Sequence, residues 1–425
     1  MDQRLRWLLV GGSFFILFFG AGTWTSFGLF LKPLQSDFPW SRSTISLAVS
    51  INMLVYGISL PLVGRLADRV GPRRVILFGV VVMALSGLLL GTVTRLWQLY
   101  LYYGIGVGIG SGCSSFVTHF TLLGRFFDER RGLALSVSSA GSSLGTFLWF
   151  PVLNLGIVSW GWSATYVGQG IVLGLIAIPL ALFVLVDPPP QRQSRAPIQD
   201  RPRVEPGRRA ATPRRTAPAE VGEGVSYTAT AAARTPLFWL LSSGQFACGF
   251  TWMFIITHLA AFVTDQGYAS SLGAQALSLL GAANIVGNIS MGAISDRVGC
   301  SRPLGVSYLV RGLALLYLVY AQSLVAIFLF CVVAGFGLLA TVPLTTAIAH
   351  RAFGLRHSGA IFGGITFIHQ LGAALGGFFG GVIYDSLGRY DVAFLIAGFV
   401  ALAAAAVSFC IREQAAEPAL APAAG

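Results

Sequence analysis

The sequence predicts an all-α membrane protein in which twelve transmembrane helices form two six-helix halves. Three observations lead to this fold class. Charged residues make up only 10% of the 425 residues, uncharged stretches of membrane-spanning length recur along the chain, and the second half repeats features of the first. Soluble proteins carry about 25% charged residues, so the scarcity of charge is the strongest of these signals.

Uncharged windows define the individual spans, since a helix needs about 20 apolar residues to cross the hydrocarbon core. The window 132–186 is long enough for two spans hinged at Ser159 to Ser163, and the segment 303–350 accommodates two more, hinged near Gln322. Twelve spans result. A soluble core would not require so many windows, and barrel strands would alternate in polarity over about 10 residues. The windows without Asp, Glu, Lys or Arg are 7–31, 43–64, 75–94, 96–124, 132–186, 235–264, 266–295, 312–350, 357–384 and 392–411.

Arginines concentrate on one side of the predicted membrane. They precede span 1, join spans 2 to 3, 4 to 5 and 6 to 7, and follow spans 8, 10 and 12. Because short cytoplasmic loops are enriched in Lys and Arg, we expect both termini in the cytoplasm and the protein in a bacterial inner membrane. The net charge of +12 reflects this bias. Its spread over every inner loop argues against a nucleic-acid partner, and the first window is expected to be a retained span rather than a signal peptide.

The expected organisation has four parts. An N-terminal six-helix bundle covers 1–186, a cytoplasmic linker 187–235, a C-terminal bundle 236–412 and a cytoplasmic tail 413–425. The linker is rich in Pro and Arg and poor in apolar residues, so it is expected to be disordered, and its charge favours contact with anionic lipid. The five cysteines lack metal-ligand spacing, and neither a metal nor a cofactor is expected.

Two charged segments at equivalent places reveal an internal repeat. GRLADRVGPRR (64–74) follows span 2, and GAISDRVGCSR (292–302) follows span 8. Asp68 and Asp296 are 228 positions apart, and Gly145 and Gly372 are 227 apart. Two similar six-span halves joined by a long inner loop indicate a duplicated transporter whose binding site lies between the halves.

The first charged segment resembles the loop signature of the major facilitator superfamily, with Pro72 where a basic residue is usual. The resemblance implies a charged network that holds the two halves together on the inner side and lets them rock when it breaks. The alternative, in which these charges only fix the topology, stays open. The predicted gate residues are Gly64, Asp68, Arg69, Arg73 and Arg74, with Asp296 and Arg297 in the second half.

Spans 1 to 5 resemble the monocarboxylate transporter family and its bacterial relatives, in FGLFLKPLQSDF (27–38), SINMLVYG (50–57) and GRFFDERRGLALSVSSAGSSLG (124–145). Animal members of that family place a lysine in span 1 and an aspartate and an arginine, four residues apart, in span 8. Here these positions hold Thr25, Asn284 and Asn288, so all three charges are replaced. The asparagines still share one helix face, and Lys32 matches an outer lysine of the family.

Candidate substrate-binding residues are polar or aromatic side chains expected to face the cavity. The windows contain no acidic residue, so a proton carrier would be a histidine or the substrate itself. For each histidine the alternative is a neutral residue hydrogen-bonded between helices. Arg311, well inside a span, is expected to reach the interface by snorkelling. The substrate-binding candidates are Thr25, Tyr56, His258, Asn284, Asn288, His369 and Gln370, and the proton-coupling candidates are His119, His258 and His369.

These features predict a secondary active transporter that moves a small organic solute by alternating access. The family resemblance implies a monocarboxylate-like anion, carried with a proton. A neutral or weakly charged solute remains an alternative because the charged triad is missing, and so does a non-transporting membrane sensor. An enzyme is not expected, since no span presents a nucleophile with a base or a metal cluster.

Overall fold

The computed structural model describes residues 3–124, 126–127, 131–187, 227–320, 323–338, 340–354 and 358–411. Over these residues the chain is helical, without a strand. The helices are α1 (Gln3–Thr25), α2 (Phe27–Asp37), α3 (Arg42–Val70), α4 (Pro72–Leu90), α5 (Leu96–Leu99), α6 (Gly108–Cys113), α7 (Phe116–Leu123), α8 (Arg131–Pro179), α9 (Ala229–Ala232), α10 (Pro236–Asp265), α11 (Ser270–Val298), α12 (Ser301–Leu318), α13 (Leu324–Phe336), α14 (Thr341–Phe353), α15 (Ser358–Leu387) and α16 (Asp391–Phe409), with π-helical turns at Tyr100–Val107 and Leu180–Val184.

Nine segments of the described chain are long and apolar enough to cross a membrane. One of them, Leu133–Val184, has 52 residues, about twice the length of a single crossing. It is divided at Gly161, whose φ of +81° is non-helical, within the hinge that the sequence predicts. Predicted spans 4 (α5 to α7) and 9 (α12) are helical but fall outside the nine, so twelve crossings remain a prediction that agrees with the fold.

The second predicted hinge coincides with the break between α12, which ends at Leu318, and α13, which begins at Leu324. Gln322 itself lies outside the described residues. The tail 413–425 and most of the linker lie outside them too. The end of the predicted disordered linker is ordered, which corrects that expectation: Tyr227 donates its backbone N–H to the Phe353 carbonyl at 3.1 Å, and α9 follows directly.

Equivalent glycines bring equivalent helices together in the two halves. A Cβ at Gly145 of α8 would collide with the Phe18 carbonyl of α1, and a Cβ at Gly372 of α15 would collide with the Phe246 carbonyl of α10. Such close approach between membrane helices requires the smallest residue. The repeat in the sequence is therefore also a repeat in the packing, while the exact limits of the two halves stay predictions.

Predicted spans 4 and 10 are both interrupted, again at equivalent positions. In span 4, α6 ends at Cys113 and α7 begins at Phe116, and in span 10, α13 ends at Phe336 and α14 begins at Thr341. Breaks at corresponding positions of two transporter halves are a recognised pointer to a binding region, because unwound backbone is tolerated only where it lines a cavity or meets protein donors.

Arg311 satisfies the backbone at the second break. Its guanidinium donates to the carbonyls of Gly337, at 2.7 Å, and Leu338, and to the Thr251 hydroxyl at 3.0 Å. The side chain has no exposed surface, so the expected snorkelling to the interface is wrong. The sequence could not reveal this role, because the carbonyls that need a donor are created by a helix break elsewhere in the chain.

Candidate functional site

An ion-pair network closes one end of the helix bundle. Since α3 runs from Arg42 to Val70, we refer to the Arg42 end and to the opposite, Arg73 end. Arg42 makes a two-pronged contact with the Asp265 carboxylate at the end of α10, at 2.6 and 2.9 Å. Lys32 of α2 reaches the same carboxylate at 2.6 Å. The network thus links helices from the first and second parts of the chain.

A second carboxylate closes the same end through backbone donors. Asp385 of α15 accepts the backbone N–H groups of Arg42, at 3.0 Å, and Ser43, at 2.8 Å. These are unsatisfied donors at the start of α3, where the helix dipole also favours an anion. The Arg42 guanidinium lies 3.4 Å from the centroid of the Tyr384 ring. We call Lys32, Arg42, Asp265, Asp385 and Tyr390 the Arg42 latch.

His258 is connected to the Arg42 latch through the Tyr390 hydroxyl. Its Nε2 lies 2.8 Å from the Gly377 carbonyl, which can only accept, so Nε2 carries the proton. Nδ1 is then an acceptor, 3.1 Å from the Tyr390 hydroxyl, which itself accepts from Arg42 at 2.7 Å. A neutral imidazole satisfies every bond in this chain.

The two ends of the bundle differ in how closely the halves approach. At the Arg42 end, a Cβ at Gly381 of α15 would lie 2.7 Å from Ser43 of α3, and one at Gly28 of α2 would collide with the Ile256 carbonyl of α10. At the Arg73 end, a Cβ would meet nothing within 4 Å at Gly64 of α3, Gly292 of α11 or Gly359 of α15. The described helices of the two halves therefore pack closely at the Arg42 end, and these three glycines show no such contact at the Arg73 end.

The predicted gate residues lie at the Arg73 end. Arg73 donates its backbone N–H to the Asp187 carboxylate at 2.8 Å and its side chain to the carbonyls of Ala181, at 3.2 Å, and Leu182, all in the first half. Gly71, with φ of +96°, brings the backbone against Asp187. Arg69, Arg74 and Arg297 are exposed, and nothing is described of the Asp68 and Asp296 side chains. The gate role remains a prediction.

An aromatic and polar cluster occupies the middle of the bundle. Trp24 of α1 stacks on Tyr56 of α3, with ring centroids 5.2 Å apart, and contacts Trp252 of α10 at 5.5 Å. Trp252 lies 6.1 Å from the imidazole of His369 on α15. The cluster brings two predicted substrate-binding residues, Tyr56 and His369, together across the two halves. We call Trp24, Tyr56, Trp252, His369 and Gln370 the central cluster.

Two side chains of the central cluster are buried without hydrogen-bond partners among the described residues. Both ring nitrogens of His369 lack a partner, as does Oε1 of Gln370, although the residues are only 7% and 4% exposed. Buried polar atoms in folded proteins are nearly always paired. The Cys248 thiol of α10 also interacts with the His369 imidazole, so Oε1 of Gln370 is the group that still needs a partner within the described chain.

The remaining substrate-binding candidates, Thr25, Asn284 and Asn288, make hydrogen bonds within their own helices. Thr25 donates its hydroxyl to the Ala21 carbonyl of its own helix at 2.8 Å. Asn288 donates to Asn284 at 3.3 Å, so the two amides do share a face of α11, and Asn288 Oδ1 has no partner among the described residues.

His119 is fully buried beside the break in span 4. Its Nε2 lies 3.5 Å from the Ser114 hydroxyl, and its Nδ1 has no partner within the described chain. Ser114 lines a small cavity of about 40 Å³ next to Trp24 and Tyr56, together with Ser111, Ser115 and Ser142. His119 thus reaches the central region through a serine.

Sequence reasoning missed Trp252, Asp265 and Asp385. From the sequence, the charged residues at the edges of the uncharged windows mark only where spans end. Three of them, Arg42, Asp265 and Asp385, lie at span ends on the same predicted side. Opposite charges at one level of several helices would have indicated a latch. Trp252 gave no such signal, because a tryptophan within a span is ordinarily a packing residue.

Comparison with known proteins matches nearly the whole chain to one family profile. The profile of the Major Facilitator Superfamily matches residues 13–310 and again 276–425. The chain is 28% identical over 398 residues to the uncharacterized MFS-type transporter YcxA of Bacillus subtilis, covering 92% of this chain and 91% of that protein. It is 25% identical over 412 residues to monocarboxylate transporter 13 of Rattus norvegicus, covering 96% and 89%.

Solved structures include a close match in fold. A bacterial homologue of the human lysosomal transporter Spinster, in an inward-facing and occupied conformation, aligns with a TM-score of 0.75 and 17% sequence identity. The alignment covers 96% of this chain and 97% of that one. At this identity the likeness concerns the fold.

Proposed function

The chain belongs to the Major Facilitator Superfamily of membrane transporters, and from this premise we propose that it is a secondary active transporter of a small monocarboxylate-like anion, carried together with a proton. Membership confirms the superfamily and the fold that the sequence predicts. It also confirms that the chain is not an enzyme, since the family and its structural neighbours are transporters.

The observation that carries the proposal is the central cluster, in which His369 and Gln370 lie among aromatic side chains from both halves. The His369 imidazole is buried beside Trp252 and Cys248 of α10, and neither ring nitrogen makes a hydrogen bond of ordinary geometry within the described chain. Gln370, the next residue on α15, adds a buried amide oxygen without a partner. A solute with hydrogen-bonding groups and a small apolar body fits this combination of polar atoms and aromatic walls.

An anion is favoured by the likeness to monocarboxylate transporter 13. The charged triad of that family is replaced by Thr25, Asn284 and Asn288, so a carboxylate here needs another cation. A protonated His369 supplies one, because a charged imidazole donates from both nitrogens. In this proposal the proton enters with the anion and both leave together, so the buried site is never left with an uncompensated charge.

Movement of the solute requires the two ends to open in turn. The Arg42 latch closes one end, and the gate residues Asp68, Arg69 and Arg73, with Asp296 and Arg297, are proposed to close the other in the opposite state. We propose that the Arg73 end faces the bacterial cytoplasm, following the arginine bias of the loops.

Uptake into proteoliposomes tests the proposal. An inward proton gradient should drive accumulation of a labelled short-chain monocarboxylate, and His369→Gln should abolish the dependence on the gradient. The matched control is His258→Gln, which alters the latch and leaves the central cluster intact. Flux of a neutral solute without flux of any organic anion would favour the alternative substrate class. A lack of flux for every solute would favour a sensor.

A further inference from the structure

A second cavity lies between the halves, close to the Arg42 latch. It has a volume of about 370 Å³ and is lined from the first half by Leu29, Lys32 and Asn154 and from the second by Ala260, Ala261 and Thr264. None of these residues belongs to the central cluster. The volume lies in the range of small-molecule sites.

One wall of the cavity carries the amide of Asn154, which makes no hydrogen bond within the described chain. Asn154 lies on α8 and is 7% exposed. Thr264, in contrast, donates to the carbonyls of Ala260 and Ala261 in its own helix. Replacing Asn154 therefore removes no hydrogen bond within the described chain, and its amide is available to a ligand in the cavity.

Lys32 adds positive charge with spare donors. Its ammonium has three N–H groups, and Asp265 accepts at 2.6 Å. That carboxylate also takes both terminal nitrogens of Arg42, so two cations share it. The side chain of Lys32 remains 35% exposed and lines the cavity.

Most of the remaining lining is apolar, apart from Ser36 and Ser270. Leu29, Pro33, Ile157, Ala260 and Ala261 form a hydrocarbon wall around the amide and the ammonium. From this combination we infer that the cavity binds a short aliphatic carboxylate, with the carboxylate on Lys32 and Asn154 and the chain against the apolar wall.

Occupancy of this site would act on the transport cycle. The lining residues come from α2 and α8 of the first half and α10 of the second, so a ligand bridges the halves where the latch does. A ligand that binds only the closed Arg42 end stabilises that state. The acid is then a brake on cycling. Its binding does not depend on which solute the central cluster carries.

Thermal unfolding of the purified full chain tests the inference. Hexanoate should raise the melting temperature, acetate should raise it less because it lacks the apolar chain, and hexanamide at equal ionic strength should leave it unchanged. Asn154→Leu fills the cavity and should abolish the hexanoate shift. Lys32→Gln removes the charge yet preserves the Arg42–Asp265 pair. It should raise the hexanoate concentration that gives half of the maximal shift at least tenfold, whereas Lys32→Arg should retain binding.

His369→Gln separates this site from the central cluster. If the hexanoate shift survives this variant and is lost in Asn154→Leu, the second site holds even where no proton-driven uptake is found. If the shift is lost in His369→Gln and retained in Asn154→Leu, the acid binds in the central cluster and the inference is wrong. An equal shift with hexanamide, or none with hexanoate, also overturns it.

Discussion

Arg42 grips both carboxylate oxygens of Asp265, at 2.6 and 2.9 Å, across the boundary between the first and second halves of the chain. The Arg42 side chain is 3% exposed and that of Asp265 is 19% exposed. The ion pair is a charged, two-bond connection between the halves at the closed end, and both of its bonds depend on the Asp265 carboxylate.

Asp265→Asn should open the Arg42 end. Loss of one partner leaves a buried guanidinium and Lys32 uncompensated. We expect the closed state to lose on the order of 2–3 kcal/mol, below the 3–5 kcal/mol of fully buried pairs because Asp265 keeps some contact with solvent. Spin labels at Ser36 and Gln266, exposed on either side of this end, should report a longer distance.

The matched control for that measurement is Arg389→Gln. Arg389 pairs with Asp391 at 3.4 Å at the same end, with 68% of its side chain exposed. Exposed pairs contribute little, so the label distance should not change. An unchanged distance in Asp265→Asn as well would mean that the ion pair does not hold this end closed.

Tyr390→Phe should destabilise the latch without removing a charge. The hydroxyl accepts from Arg42 and lies 3.1 Å from Nδ1 of His258, so its loss leaves a buried acceptor unpaired at a cost of about 1–3 kcal/mol. Thermal unfolding should show the loss. A melting temperature equal to that of the wild type would contradict the hydrogen-bond chain described for His258.

The same tyrosine has a defined pH dependence. Burial raises the pKa of Tyr390 well above its ordinary value. A raised pKa favours the protonated hydroxyl, so the stabilisation should be fully present below about pH 10, the ordinary tyrosine value, and should be lost as the pH rises further. The difference in stability between wild type and Tyr390→Phe should therefore stay constant from pH 6 to about 10 and begin to shrink only above that pH.

Substitutions of His369 and His258 should affect different kinetic parameters of transport. His369→Gln should raise the KM for the solute at least tenfold, because the residue is proposed to contact it. His258→Gln should change the maximal rate and leave KM nearly constant, because that residue acts on the latch. Initial uptake rates over a range of solute concentrations distinguish the two, and equal effects on KM would refute the assignment.

Much of the architecture could be predicted because charge is nearly absent from the spans. The uncharged windows located the helices, the hinge at Gly161 and the repeat that pairs Gly145 with Gly372. These are local or periodic signals. The partners of His258 could not be predicted, since the Tyr390 hydroxyl and the Gly377 carbonyl lie 132 and 119 positions away.

The sequence predicted which residues contribute to the central cluster better than it predicted which of them lie next to each other. Tyr56, His369 and Gln370 were expected near a cavity because they are polar or amphipathic residues in apolar helices. Which of them meet depends on how α3 and α15 rotate about their axes, and that rotation follows from close glycine contacts such as Gly57 with Gln370. A single sequence does not encode such pairings in any readable pattern.

Arg311→Met should unfold the second half rather than merely slow transport. The guanidinium satisfies the carbonyls of Gly337 and Leu338 at the break between α13 and α14, and methionine fills similar space without a donor. Two buried carbonyls then lose their partners, at about 1–3 kcal/mol each. The melting temperature and the folded yield should both fall, and Arg311→Lys should recover part of the loss through its ammonium donors.

The control is Arg302→Gln, which replaces an exposed arginine at the start of the same helix and should behave as the wild type. If Arg311→Met instead folds normally and only solute affinity falls, the guanidinium serves the solute, and the helix break must be stabilised by other groups.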